Sequence, residues 1–374
     1  IRPPLEGSAG EAFVRGDFDI EGDIFNAFQL LSYLGQIPMA KIPNLISHWL
    51  RLPVASVNTA LSRKEGRFDG AHHSKARDQA AIQYHYDVGN DFYQLFLDKR
   101  MIYSCAYFPN GDESLDMAQE KKLDHICRKL RLKTGDHLLD IGCGWGGLVL
   151  YAAEHYGVTA LGITLSRKQQ ELAQQRIQVA GLADRVKVEL RDYRDIASDS
   201  FDKVSSVGMF EHVGRAQMPT YFAQVYRLLK PGGLFLNHGI SHHPTIDRNT
   251  NWLQRLIVQR GSFTMKYIFP DSELMPASEV NLMAEQAGFE VRDVENLREH
   301  YALTLRHWVT RLHARHDDAV KIANETLYRT WRLYMAGAVF GFESGGINVN
   351  QTLIAKADQG KVSLPRSRAD LYAS

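Results

Sequence analysis

From about residue 130 the chain alternates short apolar runs with amphipathic stretches, and the first run ends in a cluster of glycines. HLLDIG (137–142) leads into a helical pattern over 146–156, and TALGITL (159–165) leads into one over 167–180. VKVEL (186–190) and FDKVSSVGMF (201–210) follow, and a helix over 218–230 ends at Lys230-Pro231-Gly232-Gly233 before LFLNHGI (234–240). Parallel strands need long crossovers, which helices supply, so this rhythm points to an α/β fold with a doubly wound, mostly parallel sheet. FEVRDVENL (289–297) and INVNQTLIAK (347–356) read as two more strands, flanking a long helical segment at about 301–340.

The upstream part reads differently. AFVRGDFDI (12–20) suggests a strand, followed by two helical pieces interrupted by Pro38 and Pro43. Residues 61–80 are polar and rich in Gly and charge, as a solvated linker would be. The expected division is a mainly helical N-terminal domain with linker over 1–75 and a catalytic domain over 76–374. Between 41 and 77, seven Lys or Arg residues stand against two acids, a local excess that suits either a solvated connection or anionic lipid head groups.

Several function classes drop out. A net charge of +1 removes global basicity as an argument for nucleic-acid binding. Three cysteines (Cys105, Cys127 and Cys143) without a CxxC pair exclude a disulfide scaffold, argue against a Cys-based zinc site and fit a reducing, cytoplasmic compartment. The histidine pairs His72-His73 and His242-His243 lack partners at metal-ligand spacing and read as surface or loop residues, so no metal is expected. No apolar run is long enough to cross a bilayer, because Ile24–Leu50 is broken by Asn26, Gln29, Gln36, Lys41 and His48. IRPPLEG at the start carries no signal-peptide pattern.

Asp140-Ile-Gly142-Cys-Gly144-Trp-Gly146 closes the first strand and opens a helix, where glycines allow a tight turn and close approach of a ligand. A dinucleotide site needs GxGxxG and an acid at the end of the second strand. Here the spacing is GxGxG, and the second strand ends in Thr164-Leu165-Ser166-Arg167-Lys168-Gln169 without an acid, which disfavours NAD. Ser166 and Gln169 match a helix capping box, a role compatible with Gln169 touching a ligand at the carboxyl edge of the sheet. Asp140 at a strand end can hold the ammonium of an amino-acid ligand. Together these features suggest S-adenosylmethionine.

QYHYDVGNDFY (83–93), MIYSCAYF (101–108), LDIGCGWGG (139–147), GITLSRKQ (162–169), VGMFEHVG (207–214) and LNHGIS (236–241) resemble the cyclopropane fatty-acid synthase family, which includes mycolic-acid methyltransferases. The resemblance is strong over roughly residues 80–358. It implies a seven-stranded class I methyltransferase sheet preceded by a small helical domain. It also implies that Tyr103 and Ser104 touch the amino-acid end of S-adenosylmethionine, above Gly142, Gly144 and Gly146. Thr164, Leu165 and Gln169 would serve the ribose, and Tyr193-Arg194 would lie near the adenine. The mycolic-acid enzymes tend to carry a Trp-acid pair there, so this departure places the chain nearer to phospholipid-acting relatives.

An isolated alkene is a poor nucleophile with no proton to remove first, so alignment with the methyl sulfonium is the main task. The site must then exclude water, stabilise positive charge on the acyl chain and supply a weak oxygen base for ring closure. The resemblance implies that Cys105, Glu211, His238, the backbone of Ile240, and Tyr301 bind bicarbonate as that base. Taken singly, Cys105 reads as a small buried hydrophobe, Glu211 as a helix N-terminal acid, His238 as a bonded strand-end residue and Tyr301 as packing.

The expected activity is methylene transfer from S-adenosylmethionine to the cis double bond of an unsaturated phospholipid acyl chain. Insertions near 241–275 and 300–340 are expected to form an apolar tunnel; their aromatics, such as Trp252, Trp308 and Trp331, suit acyl binding and suit core packing equally. Alternatives are a 10-methyl or methylene-branching enzyme, a small-amine methyltransferase, or a silent lipid-binding protein. The expected partner is a membrane phospholipid reached by transient surface contact from the inner face, with a homodimer left open.

Overall fold

The computed structural model describes residues 5–34, 68, 70–86, 88–197, 200–243, 263–269 and 271–372. Helices α1 (Leu5–Arg15), α2 (Ile24–Leu34), α3 (Lys75–Tyr86), α4 (Asn90–Gln94) and α5 (Leu115–Lys129) precede the sheet. The alternating part runs β1 (His137–Ile141), α6 (Gly147–Tyr156), β2 (Thr159–Thr164), α7 (Arg167–Val179), β3 (Val186–Leu190), β4 (Phe201–Val207), α8 (Met218–Leu228) and β5 (Leu229–His242). Then come α9 (Phe263–Tyr267), α10 (Ala277–Gln286), β6 (Glu290–Asn296), α11 (Arg298–Ala314), α12 (His316–Ile322), α13 (Glu325–Glu343) and β7 (Ile347–Ala355).

The strands form one seven-stranded sheet in the order β3-β2-β1-β4-β5-β7-β6. β1 to β5 are parallel, while β7 runs antiparallel between β5 and β6. Both faces are apolar. Leu138, Leu234, Leu236 and Leu353 point to one core, under α5 and α6, and Leu139, Phe235 and Ile354 point to the other, under α8 and α10. Sequence neighbours that alternate between two cores are what burial of both sheet faces requires. A third core joins α4, α11 and α13 to Phe13, Val14 and Ile24 of the N-terminal helices.

Three expectations need correction. Residues 12–15 are helical, because the helix begins upstream at Leu5 and Glu11 pairs with Arg15 one turn later, before Gly16 ends it at φ +80°. The polar stretch 61–80 is not all linker: α3 starts at Lys75, and Arg77 holds Asp271 through two hydrogen bonds of 2.6 and 2.9 Å. The long helical segment is three helices, with the last one capped by Asn324, whose side chain accepts from Leu327 N at 2.8 Å. Of the apolar stretch Ile24–Leu50, only the part up to Leu34 lies within the described residues, as do only the edges of the 241–275 insertion. Trp252 and most of the basic window fall outside them.

Two side chains behind β4 depend on the absence of a Cβ opposite them. A Cβ on Gly142 would lie 2.8 Å from Met209 Cγ, and one on Gly239 would lie 1.7 Å from Phe210 Cε1. Gly239→Ala is therefore expected to displace Phe210 and the turn that carries it, at a cost of about 1–3 kcal/mol. Scanning calorimetry should record a lower unfolding temperature than for Ala substitution at Gly181, where a Cβ meets nothing within 4 Å but φ is +66°.

Candidate active site

The carboxyl ends of β1, β2 and β4 open onto a cleft with about 1130 Å³ of empty space, open solvent included. Tyr103, Ser104, Asp140, Gly142, Gly144, Thr164, Leu165, Gln169, Tyr193 and Arg194 all line it. Gly144, at φ +55°, leaves its Cβ direction open. Gly146 stands apart from the lining. It is the N-cap of α6, and its missing side chain lets α7 approach, since a Cβ would sit 3.3 Å from Ala173 Cβ.

The polar groups of the cleft are pre-positioned. Ser166 caps α7 by accepting from Gln169 N at 3.4 Å, which leaves the Gln169 side chain to accept from Thr164 Oγ1 at 2.7 Å. Asp140 accepts from Ser205 Oγ at 2.7 Å, yet burial pushes its pKa up to about 6. Arg194 is clamped by Asp192 and Asp78, and its guanidinium lies 5.4 Å from the Tyr193 ring centroid. His73, read as a surface or loop residue, lies in a turn but is buried against Gly214 and lies 3.5 Å from Asp78, so it forms part of the wall behind Arg194.

MIYSCAYF is neither helix nor strand, and other elements hold its backbone in place. Gln119 donates to Ser104 O at 2.9 Å, Thr304 accepts from Ala106 N at 3.0 Å, and His300 accepts from Phe108 N at 3.0 Å. Lys122, buried below the cleft, donates to Ser104 Oγ at 2.9 Å, and burial drives its pKa down to about 8. Gln119, Lys122 and Thr304 are site residues that sequence reasoning missed. Their only local signal is polarity on helix faces that otherwise bury apolar residues.

A second polar group, Glu211, Cys105, His238 and Tyr301, does not line the cleft, although Met209 and His212 on either side of Glu211 do. Glu211 sits in a 3₁₀ turn just after β4, and its Oε1 accepts from Ile240 N at 2.6 Å. Its Oε2 is buried without a partner among the described residues, and burial raises the pKa to about 7. Tyr301 interacts electrostatically with both Cys105 and Glu211, and its ring lies 4.7 Å from that of Phe342. Burial pushes both the Tyr301 hydroxyl and the Cys105 thiol well up, so both remain protonated. His238, two residues before Ile240, is held neutral by burial; Nδ1 meets Gln351 at 3.1 Å while Nε2 is buried without a partner among the described residues. Ile240 thus contributes by giving its N–H to Glu211. Tyr86 adjoins both regions: it lines the cleft and interacts with Gln169 and Glu211. Among the aromatics expected around an acyl chain, Trp308 and Trp331 are fully buried, and Trp308 stacks on Tyr103 at 5.1 Å.

A family model described as mycolic acid cyclopropane synthetase matches residues 73–352. A probable fatty acid methyltransferase of Pseudomonas putida is 43% identical over 373 residues, covering 99% of this chain and 87% of its own. The cyclopropane-fatty-acyl-phospholipid synthase of Escherichia coli (strain K12) is 38% identical over 294 residues, covering 78% and 72% respectively. Among solved structures, mycolic acid cyclopropane synthase CmaA1 complexed with SAH and CTAB aligns with a TM-score of 0.71 at 34% identity, covering 74% of this chain and 98% of that one.

Glu211 makes stability depend on pH in a defined direction. Its folded pKa of about 7 lies above the ordinary 4.5, so the folded state binds the proton more tightly. Stability is therefore lost as pH rises from about 4.5 through about 7, by on the order of 3 kcal/mol. Glu211→Gln cannot ionise and should lose less stability than wild type between pH 5 and pH 8. Thermal unfolding at the two pH values checks this, and parallel curves for both proteins would refute it.

Proposed function

The chain belongs to the mycolic acid cyclopropane synthetase family, and from that premise we propose that it closes a cyclopropane ring on an unsaturated phospholipid acyl chain, using S-adenosylmethionine. The observation that carries this reading is the buried carboxylate of Glu211, which has one oxygen fixed by Ile240 and the other unpartnered, next to the glycine-lined cleft. An amine or hydroxyl nucleophile can pass its proton to water, whereas the proton lost in ring closure leaves a carbon in an apolar site and needs a base held there.

The cleft fits S-adenosylmethionine. Gly142 and Gly144 present no side chain at two positions of the loop, Asp140 offers a buried carboxylate, and Thr164 and Gln169 stand at and just beyond the end of β2. When bound, S-adenosylmethionine supplies an electrophilic methyl group. The protein's own contribution is to hold Tyr103 and Ser104 over the cleft and exclude water. The faces of Tyr301 and Phe342 and the charge of Glu211 favour positive charge developing on the acyl chain.

Bicarbonate fits the second group. Glu211 Oε2 accepts and His238 Nε2 can donate, which matches an ion carrying one hydroxyl hydrogen and two acceptor oxygens. Cys105, Glu211, His238 and Tyr301 would hold it as an oxygen base for the proton lost in ring closure, with Ile240 fixing Glu211. A second reading, a methyl or methylene branch on the chain, is favoured by the 43% identity to a probable fatty acid methyltransferase. We further propose that the enzyme meets its phospholipid substrate by transient contact with the inner bilayer surface; no described helix is long and apolar enough to cross a membrane.

Incubation with S-adenosylmethionine and unsaturated phospholipid should add one CH2 to an acyl chain, and product NMR should show ring protons. A branched product would replace the first reading with the second, and no mass change would refute both. In bicarbonate-depleted buffer, turnover should fall and recover on add-back, with S-adenosylmethionine affinity unchanged. Glu211→Gln should lower turnover by about 10²- to 10⁴-fold at any bicarbonate concentration. Full activity of that variant, with no bicarbonate dependence in wild type, would show the group to be structural.

A further inference from the structure

One row of polar residues crosses the three strands nearest the sheet's antiparallel edge. His238 on β5 lies directly opposite Gln351 on β7, and Gln351 lies directly opposite Glu295 on β6. Lys129, at the end of α5 and fully buried, caps the row from above. Its Nζ donates to Glu295 Oε2 and, at 2.8 Å, to Gln351 Oε1. His125, one turn earlier on α5, meets the same Glu295 oxygen at 2.7 Å. Gln351 Nε2 then meets His238 Nδ1 at 3.1 Å, and both Gln351 and His238 are buried.

The chemistry of these groups allows one arrangement of protons. A lysine ammonium has donors only, so the Gln351 atom facing Lys129 must be the carbonyl oxygen. The Gln351 atom facing His238 is then the NH2 group, which also only donates. Nδ1 of His238 must therefore accept, and the single proton of the neutral ring resides on Nε2. We infer that Glu295, Lys129 and Gln351 act as positioning residues that set the tautomer of His238, so that its unbonded edge presents an N–H rather than a lone pair.

The row is poorly explained as a stability device. Burying a Lys–Glu pair costs desolvation that apolar side chains of similar volume would avoid. Glu295 nevertheless stays ionised, with its pKa held down to about 2 by His125 and Lys129 against the opposing effect of burial. Burial lowers the Lys129 pKa and the Glu295 carboxylate works against that shift; the charged Lys129 keeps the Gln351 amide from flipping. The consequence for chemistry rests on the reading proposed above: a His238 protonated on Nε2 is a hydrogen-bond donor to an oxyanion and is unavailable as the base. The tautomer itself does not rest on that reading.

The experiment is long-range 1H–15N correlation NMR on the full chain labelled at histidine nitrogen, with the His238 signals assigned by their loss in His238→Asn. Wild type should show a protonated Nε2 and an unprotonated Nδ1. Gln351→Glu places a carboxylate against Nδ1, still paired with Lys129, and should move the proton to Nδ1. Turnover of that variant should fall about 10- to 100-fold, with S-adenosylmethionine affinity unchanged. Lys129→Met frees the amide to flip and should give a mixture of tautomers. A wild-type ring protonated on Nδ1 or on both nitrogens would overturn the inference, as would an unchanged tautomer in both variants. A reversed tautomer with undiminished turnover would uphold it and count against the proposed role of the His238 site instead.

Discussion

The hydrogen bond from the Ile240 amide to the Glu211 carboxylate ties the ends of two adjacent parallel strands together, and both halves of the site are built around it. Glu211 lies on the short turn leaving β4. On one side of that turn Met209 packs against Gly142 of the glycine loop, and on the other Phe210 packs against Gly239 of β5. The turn is thus wedged between the glycine loop of the cleft and β5. A shift at either glycine would be transmitted to Glu211, because close-packed interiors pass on displacement rather than absorb it.

Few of the polar groups here are where stability alone would put them. Asp140, Lys122, Glu211 and His238 are all buried, and burial opposes the charged form of each. Each has at least one hydrogen bond that fixes its direction, from Ser205, to Ser104, from Ile240 and from Gln351 respectively. Groups shifted by desolvation and aimed by partners are the pattern of a functional site, since an apolar core would be simpler and at least as stable.

How much of this was readable in the chain depends on how local the cause is. The strands around 137–142, 159–165 and 234–240 follow from runs buried on both faces, the edge strand at 186–190 exposes Lys187 between two buried valines, and the cap at Ser166 follows from its own four residues. The glycine loop could be assigned to a ligand from residues within a single βαβ unit. MIYSCAYF was recognisable as a motif, but its conformation was not legible, because Gln119, Thr304 and His300 hold it from distant helices. Residues 12–20 misled because a few alternating residues carry a strand pattern, while the helix that claims residues 12–15 is fixed by burial of Phe13 and Val14 in a core shared with α13. His73 misled because its burial depends on Gly214, far along the chain.

The row from Glu295 to His238 shows the same limit more sharply. Apart from His238, each member is unremarked in sequence: an acid in an edge strand, a glutamine in a strand, a lysine ending a helix. Only the registers of β5 with β7 and of β7 with β6 bring them into line. Once aligned, they constrain one another, because the ammonium can only donate and the amide has one donor end and one acceptor end. This matters under the proposed reaction, which develops positive charge on an apolar chain. A protonated His238 beside that charge would oppose it, whereas burial among Lys122 and Lys129 keeps the ring neutral. The site thereby keeps a directed N–H without a cation, and Glu211 remains the group there whose charge can favour the developing cation.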